Sequence, residues 1–275
     1  MSFGQYETLL VSERDGFVSV TLNRPKARNA MSLTMVHELL SLCGILKEEA
    51  TRYRAVVMRG AEGHFCAGGD IKDMAQARAE AMAGQGESDP YVDLNRVFGE
   101  LINEVQMLPQ VVVAVLEGAV LGGGFGLACV SDVAIALQDA KLGMPETTLG
   151  VVPAQIAPFV VQRMGLTEAR RLALLGIRIN GIDAHRLGIV HEVASNSDEL
   201  ESKLAEVLAG IRRCAPGANA VTKALMLSVS TRSITEILDD AARAFSEAVR
   251  GPEGLEGTMA FIEKRKPAWV SEGGQ

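Results

Sequence analysis

Two glycine-rich segments hold the residues whose types and spacing could do chemistry: His64-Phe65-Cys66-Ala67-Gly68-Gly69-Asp70 and Leu121-Gly122-Gly123-Gly124-Phe125-Gly126. Each closes an apolar, β-like run and opens a helix-like one. A strand-to-helix turn leaves backbone N–H groups unpaired and aimed outward. Two such turns converging would hold one developing oxyanion between two donors. Further along the chain, Pro145-Glu146 places a carboxylate on a loop. Two donors and one carboxylate point to chemistry on an activated carbonyl. Three successive glycines open a helix poorly, unless side chains there would obstruct an approaching group. The alternative is a tight turn packed on a neighbouring strand.

Other chemistries lack their residues. There is no Gly-x-x-x-x-Gly-Lys phosphate loop, and the triple glycine does not follow dinucleotide-binding spacing. No Gly-x-Ser-x-Gly elbow supplies a serine nucleophile. His37, His64, His185 and His191 show no metal-ligand spacing, so no metal site is expected. Cys43, Cys66, Cys129 and Cys214 form no close pair and read as reduced, mostly buried thiols of a cytoplasmic protein. With 48% hydrophobic and 22% charged residues, the 275-residue chain has an ordinary globular composition and ample length for a sizeable core. A net charge of −7 argues against a generic nucleic-acid surface, while leaving room for a local basic pocket around a phosphorylated ligand. No secretory signal is expected from the N-terminal residues, which lack a basic segment followed by an apolar one. The longest apolar run, Val111–Leu116, is far shorter than the ~20 residues that span a bilayer, so no membrane association is expected.

The elements that must position these groups follow from pattern. Alternating runs at 6–11 and 16–22, separated by Glu13-Arg14-Asp15-Gly16, predict a hairpin, because Asp-Gly tolerates left-handed turn geometry. Ser32 caps a helix whose apolar residues Leu33, Val36, Leu39, Leu40 and Leu46 recur at helical spacing. Buried strands are predicted at 55–58, Val111–Leu116 and Val133–Leu137, and a mobile, turn-rich excursion at 84–90. A helix follows at 91–108. Beyond about Ser195 only helices are predicted, over 198–212, 218–227, 234–249 and 252–264. Strands alternating with helices, then a helical tail, imply an α/β core with an α-helical appendage. The tail's apolar faces need partners in its own core and in another subunit.

Residues 18–25 (VSVTLNRP), 64–72 (HFCAGGDIK), 121–132 (LGGGFGLACVSD), 145–150 (PETTLG) and 261–266 (FIEKRK) together resemble the crotonase superfamily of enoyl-CoA hydratases and isomerases. The resemblance covers nearly the whole chain. It implies a spiral of ββα units over 1–196 and a helical C-terminal region over 197–275 that builds trimers, or dimers of trimers, and closes the coenzyme A pocket. By position, Gly69 and Gly123 match the oxyanion donors that would bind the thioester oxygen of an acyl-CoA, and Glu146 matches one of two catalytic glutamates. Coenzyme A belongs to the substrate, so no separate cofactor or metal is implied. Its phosphates need cations, and family position suggests Arg24, Lys26, Lys72 and Lys264, with Ala67 also among the coenzyme A-binding residues and Lys266 as a further candidate. Phe261 and Ile262 read as residues that dock the last helix.

One departure matters. The other family glutamate aligns with Gly126, which has no side chain. Gln155, Asp73 and the 76–93 region are the candidates for replacing it; otherwise one carboxylate must suffice, as in Δ3–Δ2 isomerisation. Residues 145–160 (PETTLGVVPAQIAPFV) are similar to hydratases of branched glutaconyl-CoA thioesters, the methylglutaconyl type of leucine breakdown and the isohexenylglutaconyl type of acyclic terpene breakdown. Space expected at Gly126, Ala119 and Ala154 favours the longer isohexenyl branch. The expected activity is therefore addition of water to a 3-branched glutaconyl-CoA, with isomerisation or a non-catalytic acyl-CoA-binding role as alternatives.

Overall fold

The computed structural model describes residues 3–84 and 88–270. It opens with the hairpin, β1 (Leu9–Arg14) against β2 (Phe17–Leu22), in the register Leu9↔Leu22. Asp15 and Gly16 turn it at φ 55° and 78°. Two successive positive φ values match the right-handed twist of the flanking strands. Ser32 caps α1 (Leu33–Glu48) by accepting the Met35 N–H at 3.2 Å. Next come β3 (Ala55–Gly60), α2 (Ile71–Ala83) and α3 (Pro90–Gln106). Residues 85–87 of the excursion expected at 84–90 lie outside the described residues.

The middle of the chain runs through β4 (Val111–Leu116), β5 (Ala119–Leu121), α4 (Gly123–Val130), β6 (Val133–Leu137) and β7 (Lys141–Gly143). It continues as α5 (Ala157–Met164), α6 (Leu166–Leu175), β8 (Arg178–Ile179), α7 (Gly181–Arg186) and β9 (Glu192–Ala194). The tail forms α8 (Ser197–Arg213), α9 (Pro216–Ser228), α10 (Ile234–Arg250) and α11 (Pro252–Ile262), with no strand among its described residues.

The larger sheet has the order β1-β2-β3-β4-β6-β9, parallel beyond the first hairpin. Its centre explains the unbroken apolar run in β4, since a parallel strand covered on both faces has no polar side. Val112, Ala114 and Leu116 join α1, α3 and α4 in one core; Val113 and Val115 meet Leu200, Leu204 and Ile211 of α8 in the other. A smaller sheet, β5-β7-β8, has strands too short for periodicity to reveal. It carries the second glycine turn and leads to the loop that presents Glu146.

The first helix of the C-terminal region thus lies directly on the sheet. Lys223 of α9 anchors the next one, donating to Asp132 at 2.7 Å and to the Gln110 carbonyl at 3.1 Å. Further out the packing thins. Ile237 is the buried residue of α10, whereas Leu238 and Phe245 are exposed. Phe261 and Ile262, expected to dock the last helix, are 86% and 70% exposed. Ala260 and the contact of Trp269 over Gly257 hold that helix instead.

Candidate functional site

The first turn is clamped from two directions. On one side, Met31 donates to the Gly68 carbonyl at 2.8 Å, accepts from Asp70 at 2.9 Å and forms a parallel bridge with Gly69. On the other, Cys66 donates to Ala119 at 2.8 Å and accepts from Leu121 at 2.9 Å. Strand β5 therefore runs beside the first turn and delivers the chain straight into the second. Met31 also reaches the second turn: a Cβ built on Gly123 would stand 2.9 Å from its terminal methyl. The two glycines expected to act together lie against the same residue, Gly69 along its backbone and Gly123 at its side chain.

The Gly69 and Gly123 N–H groups donate to no described residue. Gly69 is exposed and Gly123 partly so, and Gly123 is the first residue of α4, where an amide has no partner within the helix. Gly122, at φ 54° and ψ −121°, adopts backbone geometry closed to other residues. Its missing side chain matters as much: a Cβ there would sit 3.0 Å from Glu146 Oε1 and 3.3 Å from the Gly68 Cα. Carboxylate and both turns meet at that point.

Glu146 stands in the 3-10 turn Pro145–Leu149, and its Oε2 is buried with no hydrogen-bond partner among the described residues. Burial pushes its carboxyl above the ordinary range, opposed more weakly by its own backbone N–H. A half-buried carboxylate with one unsatisfied oxygen is suited to exchange a proton. Cys66 is no rival nucleophile. Burial pushes its thiol up to about 11, so it stays protonated.

The position of the expected second carboxylate, Gly126, is closed. A Cβ on Gly126 would lie 2.4 Å from Ile156 Cγ2 and 3.3 Å from Ile102 Cδ1. Gly126 therefore opens no space for a long acyl branch, contrary to the expectation from its size; Ile156 has taken the room. Ala119 is partly buried in β5, and Ala154 is exposed. The candidates for a replacement group are also occupied. Asp73 accepts the Leu33 N–H at 2.7 Å, and Gln155 lies over Gly99 of α3 and donates to Asn95 at 3.0 Å. Sequence reasoning missed Ile156, because only the fold brings it to Gly126.

The expected cations differ in their engagement. Arg24 is engaged with Asp70 at 2.6 Å and the Ala30 carbonyl at 2.5 Å, bracing the first turn from behind. Lys26, Lys72 and Lys264 are exposed and form no ion pair among the described residues. Ala67 donates its N–H to the Arg28 carbonyl at 3.1 Å. A cavity of about 520 Å³ opens between α1, α2 and α3, lined by Leu33, Ala77, Leu94 and Val97 with Asp73, Glu80 and Asp93. Gly69, Gly123 and Glu146 do not line it, but Leu33 follows Met31 by two residues. No group of metal-ligating side chains occurs among the described residues, and no described helix is long and apolar enough to cross a membrane.

Both the sequence and the fold match known proteins. The family described as enoyl-CoA hydratase/isomerase matches residues 12–272. The chain belongs to that family. Its fold is crotonase-like: the structure of AtuE from Pseudomonas aeruginosa superposes with a TM-score of 0.92 at 57% identity, covering 96% of this chain and all of that one. A probable enoyl-CoA hydratase of Bacillus subtilis is 32% identical over 94% of this chain and 97% of its own. The mitochondrial methylglutaconyl-CoA hydratase of Mus musculus is 26% identical over 96% and 82%. Membership makes the chain an enzyme of the enoyl-CoA hydratase type, a carbon–oxygen lyase acting on an acyl-CoA.

Proposed function

We propose that this enzyme hydrates a 3-branched glutaconyl-CoA, with the isohexenyl branch preferred to methyl. The observation that carries the reading is the Glu146 carboxylate, whose Oε2 has no partner among the described residues, beside two amides that donate to no described residue, with the second carboxylate position sealed by Ile156. In this reading the thioester oxygen accepts from Gly69 and Gly123, which stabilise the enolate as it forms. Ionised Glu146 takes a proton from water as the oxygen adds to the β-carbon. The same carboxyl then returns that proton to the α-carbon, so one group completes the addition. The carboxylate of the glutaconyl substrate orders the attacking water, in place of a second protein side chain.

Support for a large branch comes from the cavity beginning at Leu33, two residues from Met31, with apolar walls at Ala77, Leu94 and Val97. Its acidic residues favour an uncharged tail and turn a substrate carboxylate elsewhere. Support for the glutaconyl class comes from residues 145–160 and from the likeness to a methylglutaconyl-CoA hydratase. Lys26, Lys72 and Lys264 are proposed to meet the coenzyme A phosphates. The exposed apolar residues of α10 and α11 are proposed to pack between subunits of a trimer.

The test is turnover of isohexenylglutaconyl-, methylglutaconyl- and crotonyl-CoA by the purified enzyme, with products identified by mass. Gain of one water, fastest for the isohexenyl substrate, is expected. Equal rates for crotonyl-CoA would sink the glutaconyl reading. Because one carboxylate also suffices for isomerisation, a 3-enoyl thioester belongs in the panel; its conversion to the conjugated isomer without water gain would assign isomerase chemistry instead.

A further inference from the structure

His64 lies between the two turns, and the chemistry above gives it no task. Its backbone and side chain are used in an unusual division. In a regular parallel ladder, the bridge Cys66↔Val120 would be followed one rung back by the Ala119 N–H donating to the His64 carbonyl. That carbonyl is occupied elsewhere. It accepts from Asn29 Nδ2 at 2.6 Å, and Asn29 is fully buried, also donating to the Ala61 carbonyl at 2.9 Å and accepting from the Arg24 N–H at 2.9 Å. The Glu117 carbonyl meanwhile takes the Phe65 N–H at 2.9 Å, one residue out of regular register. The ladder is thus bulged at His64, and Ala119 loses its backbone partner.

The imidazole restores it. Ala119 donates to His64 Nδ1 at 3.1 Å. Gly118, at φ 51°, leaves room for the ring, since a Cβ there would lie 2.4 Å from Nδ1. An accepting Nδ1 carries no proton, so the tautomer is set by the amide it serves.

We propose that His64 is a positioning residue for both oxyanion donors, its ring acting as a side-chain rung that keeps β5 in register with the first turn. Gly69 lies five positions after His64, and Gly123 four positions after Ala119. The rung therefore lies at the root of the two-stranded ribbon whose tips carry both N–H groups. Without it, the Ala119 amide is left unpaired and β5 is free to slip toward another acceptor. The donor spacing at the tips then changes. This proposal rests on Gly69 and Gly123 being the donors of the reaction.

The test uses two variants of the full-length enzyme, with a third in reserve. In His64→Asn the side-chain oxygen reaches the place of Nδ1; in His64→Leu the volume is kept without an acceptor. Misplacing a reacting group by about 1 Å costs on the order of 100-fold, so His64→Leu is expected to lower kcat at least about tenfold with a smaller change in KM. His64→Asn is expected to stay within about threefold of the native rate. If His64→Leu fails to fold, His64→Gln replaces it, because the extra methylene carries its amide past the Nδ1 position. Native kcat in the variant without an acceptor, or equal loss in His64→Asn, would overturn the proposal. Should the native enzyme turn over no enoyl thioester, the functional reading fails. Hydrogen exchange at the Ala119 amide then decides the rung separately. Protection lost in the leucine variant and kept in the asparagine variant supports it; unchanged protection in both removes it.

Discussion

The two flanks of the paired turns have opposite characters. On one, Glu146 brings a carboxylate against Gly122 and leaves Oε2 buried and unpaired. On the other, Gly126 is pressed by Ile156 and Ile102, with no polar atom among these contacts. The first flank carries an unsatisfied group, which costs stability and serves proton transfer. The second is packed as core, which adds stability and removes a titratable position. One side of the site is spent on chemistry and the other on packing.

Breaking the chemical flank should have the largest effect. Glu146→Gln is expected to lower kcat by about 10²–10⁴, the range for loss of a general acid–base group, measured with the preferred thioester. A native rate in that variant would leave the carboxylate without a role. Breaking the packed flank comes next. Gly126→Glu drives a side chain into Ile156 and buries an unpaired charge, and is expected to destabilise by about 3 kcal/mol or more in denaturant unfolding. Adding Ile156→Gly should recover part of that loss. If the double variant is no more stable than Gly126→Glu, the 2.4 Å contact is not what closes the position.

Smaller effects sharpen the contrast. Burial raises the Glu146 carboxyl in the folded state, so folding favours its protonated form. Below the ordinary carboxylate pKa, both folded and unfolded forms are protonated and the group has no net influence. As pH rises through the raised value, a stability cost develops in full. Glu146→Gln should therefore raise Tm at neutral pH and leave it unchanged at acidic pH. If ionised Glu146 is the base, the native kcat/KM should fall as pH drops through that same raised value. Smallest of all, Ile156→Val is expected to cost about 1 kcal/mol with little change in rate. A large loss of rate there would show that Ile156 touches the substrate.

Much of the site could be read along the chain, because its parts are local. Gly68-Gly69 and Gly122-Gly123-Gly124 each need only their own strand-to-helix turn. The Asp15-Gly16 hairpin, the Ser32 cap and the tail helices are likewise local in origin. The β5-β7-β8 sheet escaped because strands of two or three residues carry no periodicity. Phe261 was misplaced for another reason: an apolar residue signals burial without saying against which chain. The space expected at Gly126 was misjudged because a glycine's size says nothing of its neighbours.

The sequence by itself determined the chemistry available: two glycine turns that offer amides, one carboxylate at Glu146 and none at position 126. Only the tertiary structure decided where these groups meet and what fills the gap. Met31 and β5 bring the turns together, Gly122 lets Glu146 approach, and Ile156, 30 residues from Gly126, closes the remaining flank. The physical reason is that a hydrogen-bonding turn is encoded by neighbouring residues. A cavity or its absence is a property of packed surfaces contributed by distant ones.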